Sequence, residues 1–374
     1  MRILISIYCL LIVTTSLTTF AQAPNISSDD LVPRWLRQMD KDQDGRVANA
    51  ESTGLMKRFF ERNDVNHDNY LDQKELKALA QRLGRNRKGG QQRQPTAVST
   101  KQMLAKVPDD VVVEPDIAYR PGDSKAWRLD LFQPKSKSAK LRPGLVFIHG
   151  GGWRSGDKRA VTFLNGAIEY AQKGYVTITV NYRLTGEAPF PACIEDVKCA
   201  VRWLRAHANK YHLDPERIGA YGNSAGAHLV AMLGLVKRDA KLEGDGPWQD
   251  QSSMVQAVAA SATPTDFGLF HSSPKNDERF KAEERSVGKL KKLCSPINHV
   301  TETAPPFLLF HGTSDRTVDV KHSDILVNAL KKAGTDVTYI RIDDAGHGVF
   351  NQHADRTKPM IQEFFERILQ EPLR

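Results

Sequence analysis

The 374-residue chain predicts an α/β fold, and three observations carry that prediction. Apolar runs such as residues 144–148 (GLVFI) and 307–310 (FLLF) are too continuous for strands with a wet face, so they belong to a sheet covered on both sides. Segments of helical periodicity separate these runs, which indicates a mostly parallel sheet. Glycine-rich turns stand directly after two of the runs, at the strand ends where such folds place their ligands.

The strand pattern starts at residues 111–119 and 127–132, the second alternating apolar and polar. Residues 144–148 and 175–180 follow as buried strands, then a helix over 192–208 and a strand over 218–221. Residues 255–260, 307–310 and 337–342 supply three more strands, with helices near 322–333 and 355–369. The polar stretch 266–300 breaks this rhythm and is expected to be a helical cap insertion shaping a pocket at the C-terminal edge of the sheet. The large domain is thus expected over residues 107–374.

Residues 1–23 have the pattern of an export signal. Arg2 is followed by an apolar run over 3–13 and by Ala21-Gln22-Ala23, a small-residue cleavage pattern. No stretch approaches the roughly 20 apolar residues a membrane span requires. A secreted or periplasmic location is the expectation. The net charge of +9 would suit an anionic partner, but no zinc-finger, helix-turn-helix or aromatic-interleaved basic pattern supports nucleic acid. Cys193, Cys199 and Cys294 are an odd set after the signal and are expected to be buried free thiols, with room for one bridge involving Cys294 at most.

Residues 24–83 carry two acidic twelve-residue loops. The first, DKDQDGRVANAE, puts Asp40, Asp42 and Asp44 at positions 1, 3 and 5, the Arg46 carbonyl at 7 and Glu51 at 12. The second, DVNHDNYLDQKE, offers Asp64, Asn66, Asp68, the Tyr70 carbonyl, Asp72 and Glu75. Asn69 replaces the turn glycine, as asparagine can in the left-handed region. Carboxylates packed this densely repel one another unless a hard cation is bound, so the loops predict Ca2+ in a structural role. Both resemble EF-hands. Val47 and Leu71 are placed to touch between the loops, and one helix over 52–62, with Leu55, Phe59 and Phe60 buried, is expected to join them. Residues 84–106, basic and rich in Gly, Gln and Pro at first, read as a flexible linker, with a tether for anionic glycans as the second reading.

The chemistry centres on Gly222-Asn223-Ser224-Ala225-Gly226. A serine at the apex of a strand–turn–helix needs flanking glycines where helix and strand pass too closely for side chains, and it stands at a helix N-terminus that favours an oxyanion. In His149-Gly150-Gly151-Gly152-Trp153, the backbone N–H groups of Gly151 and Gly152 are oxyanion donors, joined by that of Ala225. Asp315, in HGTSDRTV after a strand, can orient a histidine, with Asp319 a competitor further into the loop. His347, in AGHGV past the last strand, completes the order Ser…Asp…His; His322 and His353 are alternatives in helical context.

These motifs, with VNYRL and Ser295-Pro296-Ile297, resemble the α/β-hydrolase carboxylesterases of the HGGG-W group over residues 111–369. They are similar to hormone-sensitive-lipase-like esterases and more so to exported bacterial feruloyl and acetyl-xylan esterases. The resemblance implies Ser224 as nucleophile, His347 as base and acid, Asp315 as orienter, and an ester substrate linked to polysaccharide. Arylformamidase-type amidases are an alternative because residues 149–153 also fit HGG-x-W, although export speaks against them. A non-catalytic, calcium-dependent surface-binding protein is the alternative from another class, which the complete triad disfavours.

Overall fold

The computed structural model describes residues 28–52, 60, 63–88, 97–270, 278–280 and 284–370. The expected signal segment lies outside these residues. The chain divides into two compact units, Met1–Arg93 and Gln94–Arg374.

In the first unit, helix α1 (Ser28–Met39) precedes the first acidic loop, and α2 (Gln73–Lys88) leaves the second. The loops meet through β1 (Val47–Ala48) and β2 (Tyr70–Leu71), with Val47 paired to Leu71 as the spacing predicts. Val32, Met39, Val47, Phe60, Leu71, Leu76 and Leu79 form the core of this unit. Of the joining helix expected over 52–62, only Ser52 and the buried Phe60 are among the described residues; Leu55 and Phe59 lie outside them. The helix that leaves the second loop extends beyond Leu83, into the first residues of the expected linker. It continues to Lys88 because Arg85, Arg87 and Lys88 are good helix formers and Gly84 alone does not break it.

The end of the expected linker is also ordered. Helix α3 (Thr100–Leu104) has a capping box in which Ser99 and Gln102 bond each other's backbone, and Met103 is fully buried in the core of the second unit. An apolar anchor and a cap, neither conspicuous in the composition, fix this piece.

The second unit is an eight-stranded sheet in the order β10-β9-β8-β7-β5-β6-β4-β3. The strands are β3 (Val111–Ala118), β4 (Arg128–Pro134), β5 (Arg142–Ile148), β6 (Val176–Val180), β7 (Leu213–Asn223), β8 (Ala257–Ser261), β9 (Phe307–Gly312) and β10 (Val337–Ile342). Strand β4 pairs antiparallel with both neighbours, and all pairings from β6 to β10 are parallel. The expected α/β architecture is present.

Helices cover both faces. Val146 and Ile148 of β5 pack with α5 (Ala192–Ala206) and α7 (Ala225–Leu235) on one side, whereas Leu145 and Phe147 pack with α4 (Val161–Gln172) on the other. That alternation is the period of two of a strand buried on both faces. Short α6 (Ala208–Tyr211) leads into β7, and α9 (Lys321–Lys332) follows β9. Helix α7, apolar except for His228, is buried along its whole length. In the insertion, α8 (Glu284–Leu293) follows the 3-10 turns Phe267–Leu269 and Glu278–Phe280. This segment is less polar in effect than in composition, since Phe267, Phe280, Val287 and Cys294 are buried in the main core. The chain ends with α10 (Val349–Gln352) and α11 (Ala354–Phe365). Among the described residues, Cys193, Cys199 and Cys294 are free and buried.

Candidate active site

Strands β5, β7, β9 and β10 run in one direction, so the loops after them leave from the same edge of the sheet. That edge collects His149–Trp153, Ser224, Asp315 and His347. Ser224 caps α7 with φ 54° and ψ −120°, a left-handed conformation that a serine adopts only when its surroundings impose it. The flanking glycines are imposed by contact: a Cβ on Gly222 would collide with the carbonyl of Gly226, and one on Gly226 with that of Ile148. Strand and helix touch there through backbone alone.

His347 bridges the other two residues. Its Nε2 lies 2.9 Å from Ser224 Oγ, and its Nδ1 lies 2.7 Å from Asp315 Oδ2. Asp315 Oδ1 accepts the backbone N–H groups of Thr317 (2.8 Å) and Val318 (3.0 Å). Burial alone would raise the Asp315 carboxyl, but hydrogen bonds from His311 and His347 outweigh it and hold the group well below the ordinary carboxylate range. The carboxylate therefore stays charged and keeps Nδ1–H on the imidazole, leaving Nε2 free to accept the serine proton. The competitors are elsewhere: Asp319 bonds the backbone of Lys321, His322 accepts from Thr265 and Asp266, and His353 ends α10.

The glycine loop lies against the elbow, since a Cβ on Gly150 would come within 3.4 Å of Ser224 Cβ. The buried His149 ring stacks on Tyr182 at 4.4 Å, and its Nδ1 bonds the Gly150 carbonyl at 2.8 Å. Burial lowers the His149 pKa, keeping the ring neutral. The Gly151 carbonyl accepts from Ser155 Oγ (3.0 Å) and from the Arg154 N–H (3.2 Å). In a planar trans peptide the following N–H points opposite to its carbonyl, so the Gly151 N–H is turned away from His149 Nδ1, and the Gly152 N–H from Ser155 Oγ and the Arg154 N–H, the donors to the Gly150 and Gly151 carbonyls. Gly152 has φ 61°, and a Cβ there would meet nothing within 4 Å, so the loop opens to space at that point. Ala225 heads α7, where N–H groups lack intrahelical partners. A serine–histidine–carboxylate line beside a glycine loop and a helix N-terminus can perform acyl transfer.

A family model, BD-FAE, matches residues 129–330, more than half of the chain. The chain belongs to the BD-FAE family. The BD-FAE match contains Ser224 and Asp315, while His347 lies beyond it. Esterase LipC of Mycobacterium tuberculosis is 32% identical over 254 residues, a match spanning 64% of this chain and 60% of LipC. The chain thus spans about 60% of the length of the curated relatives it matches. Among solved structures, a truncated carbohydrate esterase from gut microbiota is 28% identical with a TM-score of 0.64, over 71% of this chain and 99% of that one. The apo form of Thermogutta terrifontis esterase 2 is 28% identical with a TM-score of 0.59, over 70% and 95%.

Two residues of this BD-FAE chain escape a motif-based reading. His228 lies one turn after Ser224 and ties Trp153 to the insertion; a lone polar residue in an otherwise apolar helix was the available signal. His311, the first residue of HGTSDRTV, lies against Asp315. Its signal was weak, because a lone histidine at a strand end is ordinarily a packing residue.

The acidic loops build matching cages. Asp40 accepts from the backbone of Asp44 and Gly45, and Asp64 from Asp68 and Asn69. Glu51 reaches back to Lys41 and Ala48, and Glu75 to Val65 and Asp72. Gly45 (φ 83°) and Asn69 (φ 65°) both make the left-handed turn. Carboxylate oxygens of Asp40, Asp42 and Asp44 all lie within 4.8 Å of one another, a donor set of hard oxygens that fits a divalent cation. Arg46 pairs with Asp44 at 2.7 Å and offers its carbonyl at position 7; Asn66, Asp68, Tyr70 and Asp72 occupy the second loop.

Proposed function

We propose that the chain is a serine carboxylesterase acting on acyl esters of carbohydrate. The observation that carries this reading is the continuous bond line from Ser224 Oγ through His347 to Asp315, beneath a left-handed elbow. His347 takes the Ser224 proton, the alkoxide attacks the ester carbonyl, and the resulting oxyanion is held by the N–H groups of Gly151, Gly152 and Ala225. His347 then protonates the leaving alcohol. A water activated by the same nitrogen releases the acyl group from Ser224. Similarity to a carbohydrate esterase and the export pattern of residues 1–23 support the carbohydrate-linked substrate and a secreted or periplasmic location.

The same reading gives the N-terminal unit one or two Ca2+ ions, held by the side chains of Asp40, Asp42, Asp44 and Glu51 and of Asp64, Asn66, Asp68, Asp72 and Glu75, with the Arg46 and Tyr70 carbonyls. The cation neutralises the crowded carboxylates and fixes the loops; it takes no part in ester cleavage.

The test is hydrolysis of p-nitrophenyl acetate, then of acetylated xylan, methyl ferulate, short acyl esters and N-formylkynurenine. Turnover of the esters that disappears in Ser224→Ala with the fold intact is the expected result. Turnover retained by that variant, or preference for the formamide, overturns the reading.

A further inference from the structure

We propose that His311 is a positioning residue for the acid of the triad, holding Asp315 in the rotamer that His347 requires; this rests on the hydrolase reading above. His311 is the fifth residue of β9 and is fully buried. Its Nε2 faces the Val318 carbonyl at 2.9 Å and Asp315 Oδ2 at 3.3 Å. Both are acceptors, so that nitrogen carries a hydrogen and shares it between them. Its Nδ1 lies 2.6 Å from the hydroxyl of Ser323 in the first turn of α9. The ring is thereby pinned from both ends, between a helix and the loop it serves.

The consequence lies in how Asp315 is satisfied. An ionised carboxylate offers about four lone-pair sites. Four donors occupy them: the N–H groups of Thr317 and Val318 on Oδ1, and His347 Nδ1 and His311 Nε2 on Oδ2. With every site filled, the carboxylate can neither rotate nor take a proton without breaking a bond. His311 also withdraws some of the negative charge that His347 would otherwise feel. Removing it leaves Oδ2 less satisfied, strengthens its hold on an imidazolium at position 347, and loosens the rotamer. Among the described residues, His322 interacts electrostatically with His311 and Asp315, and with Asp266 and Asp319 beyond them.

The experiment compares His311→Leu, His311→Gln and Ser323→Ala with the parent chain. Active sites are counted by a fluorophosphonate titrant, and p-nitrophenyl acetate kinetics are followed across pH. In His311→Leu, kcat per titrated site should fall about tenfold, with KM unchanged and the acid limb of kcat/KM raised by about half a pH unit. His311→Gln, which keeps a donor, should recover most of both. Ser323→Ala, which leaves the core filled, should move the limb in the same direction by a smaller amount. The low-field proton resonance of His347 Nδ1–H should shift in His311→Leu and Ser323→Ala. An unmoved limb and an unmoved resonance in Ser323→Ala, with leucine acting only on the number of titrated sites, overturn the proposal. Absence of Ser224-dependent turnover in the parent chain defeats the hydrolase reading instead, and the resonance still decides whether His311 controls Asp315.

Discussion

The indole Nε1–H of Trp153 donates to Nδ1 of His228 across 3.2 Å, while His228 Nε2 bonds the Cys294 carbonyl at 2.8 Å. Trp153 closes the glycine loop, His228 rides the helix that Ser224 begins, and Cys294 belongs to the insertion. One neutral imidazole therefore joins three segments around the site. Tryptophan only donates and a carbonyl only accepts, which assigns the hydrogen to Nε2.

Stability should consequently fall on acidification. Burial pushes His228 down to about 4, and burial with the nearby His311 does the same to His322. The unfolded chain binds these protons near the ordinary histidine value of 6.5, so between about pH 6.5 and 4 it holds more protons than the folded chain. The stabilisation is fully present above that window and is lost as pH falls through it, about 3 kcal/mol at most for His228. Melting followed by circular dichroism from pH 7 to pH 4 should show the decline, and His228→Gln should flatten it. A parent melting temperature constant over this range contradicts the assignment.

Gly226→Ala should abolish activity. The added methyl would strike the Ile148 carbonyl and stand 2.8 Å from that of His149, forcing apart the elbow and the glycine loop. Backbone cannot yield as a flexible side chain can, so the expected loss is at least about 100-fold in kcat, or failure to fold. Titrated active sites and the melting temperature separate these two results. A variant as active as the parent chain would show that the close approach is not needed.

Much of this was legible in the sequence because it depends on local pattern. Residues 144–148 declare a two-sided strand by lacking polar positions, and Gly222, Ser224 and Gly226 declare the elbow by spacing. Val47 and Leu71 could be paired in advance because both occupy the same position of a repeated loop. What stayed hidden depends on contacts between distant residues. His311 reads in sequence as the start of the loop after a strand and meets Asp315 only in the fold, and Thr100–Leu104 reads as tether although Met103 is in the core.

A buried ion cluster belongs to the hidden class. Asp130, fully buried on β4, receives Lys158 at 2.6 Å and Arg159 at 2.7 Å, and the same two cations hold Asp116. Asp116 sits at φ 55°; burial opposes its ionisation, but Lys158 and Arg159 bring its pKa to about 2. Arg159 also reaches Thr100 on α3 at 2.7 Å. Asp130→Asn should cost about 3–5 kcal/mol, because it leaves two buried cations short of a charge. A fall of roughly 10 °C in melting temperature is expected. A shift under about 2 °C would mean that Asp116 alone satisfies both cations.

Calcium dependence should separate the two units. Each closing glutamate, Glu51 or Glu75, already curls back onto its own loop, accepting from Lys41 and Ala48 or from Val65 and Asp72. A glutamine there keeps an acceptor but loses the charge and one of the two equivalent oxygens that a bidentate ligand needs. Calorimetric titration of the full chain should detect binding in the range of about 10⁻⁴ to 10⁻³ M typical of extracellular modules. The double variant Glu51→Gln, Glu75→Gln should lose it. Nothing in the bond line from Ser224 to Asp315 involves these loops, so ester turnover should survive both chelation and the double variant. Turnover that collapses on chelation and returns with calcium would give the cation a part in catalysis that the structural role denies it.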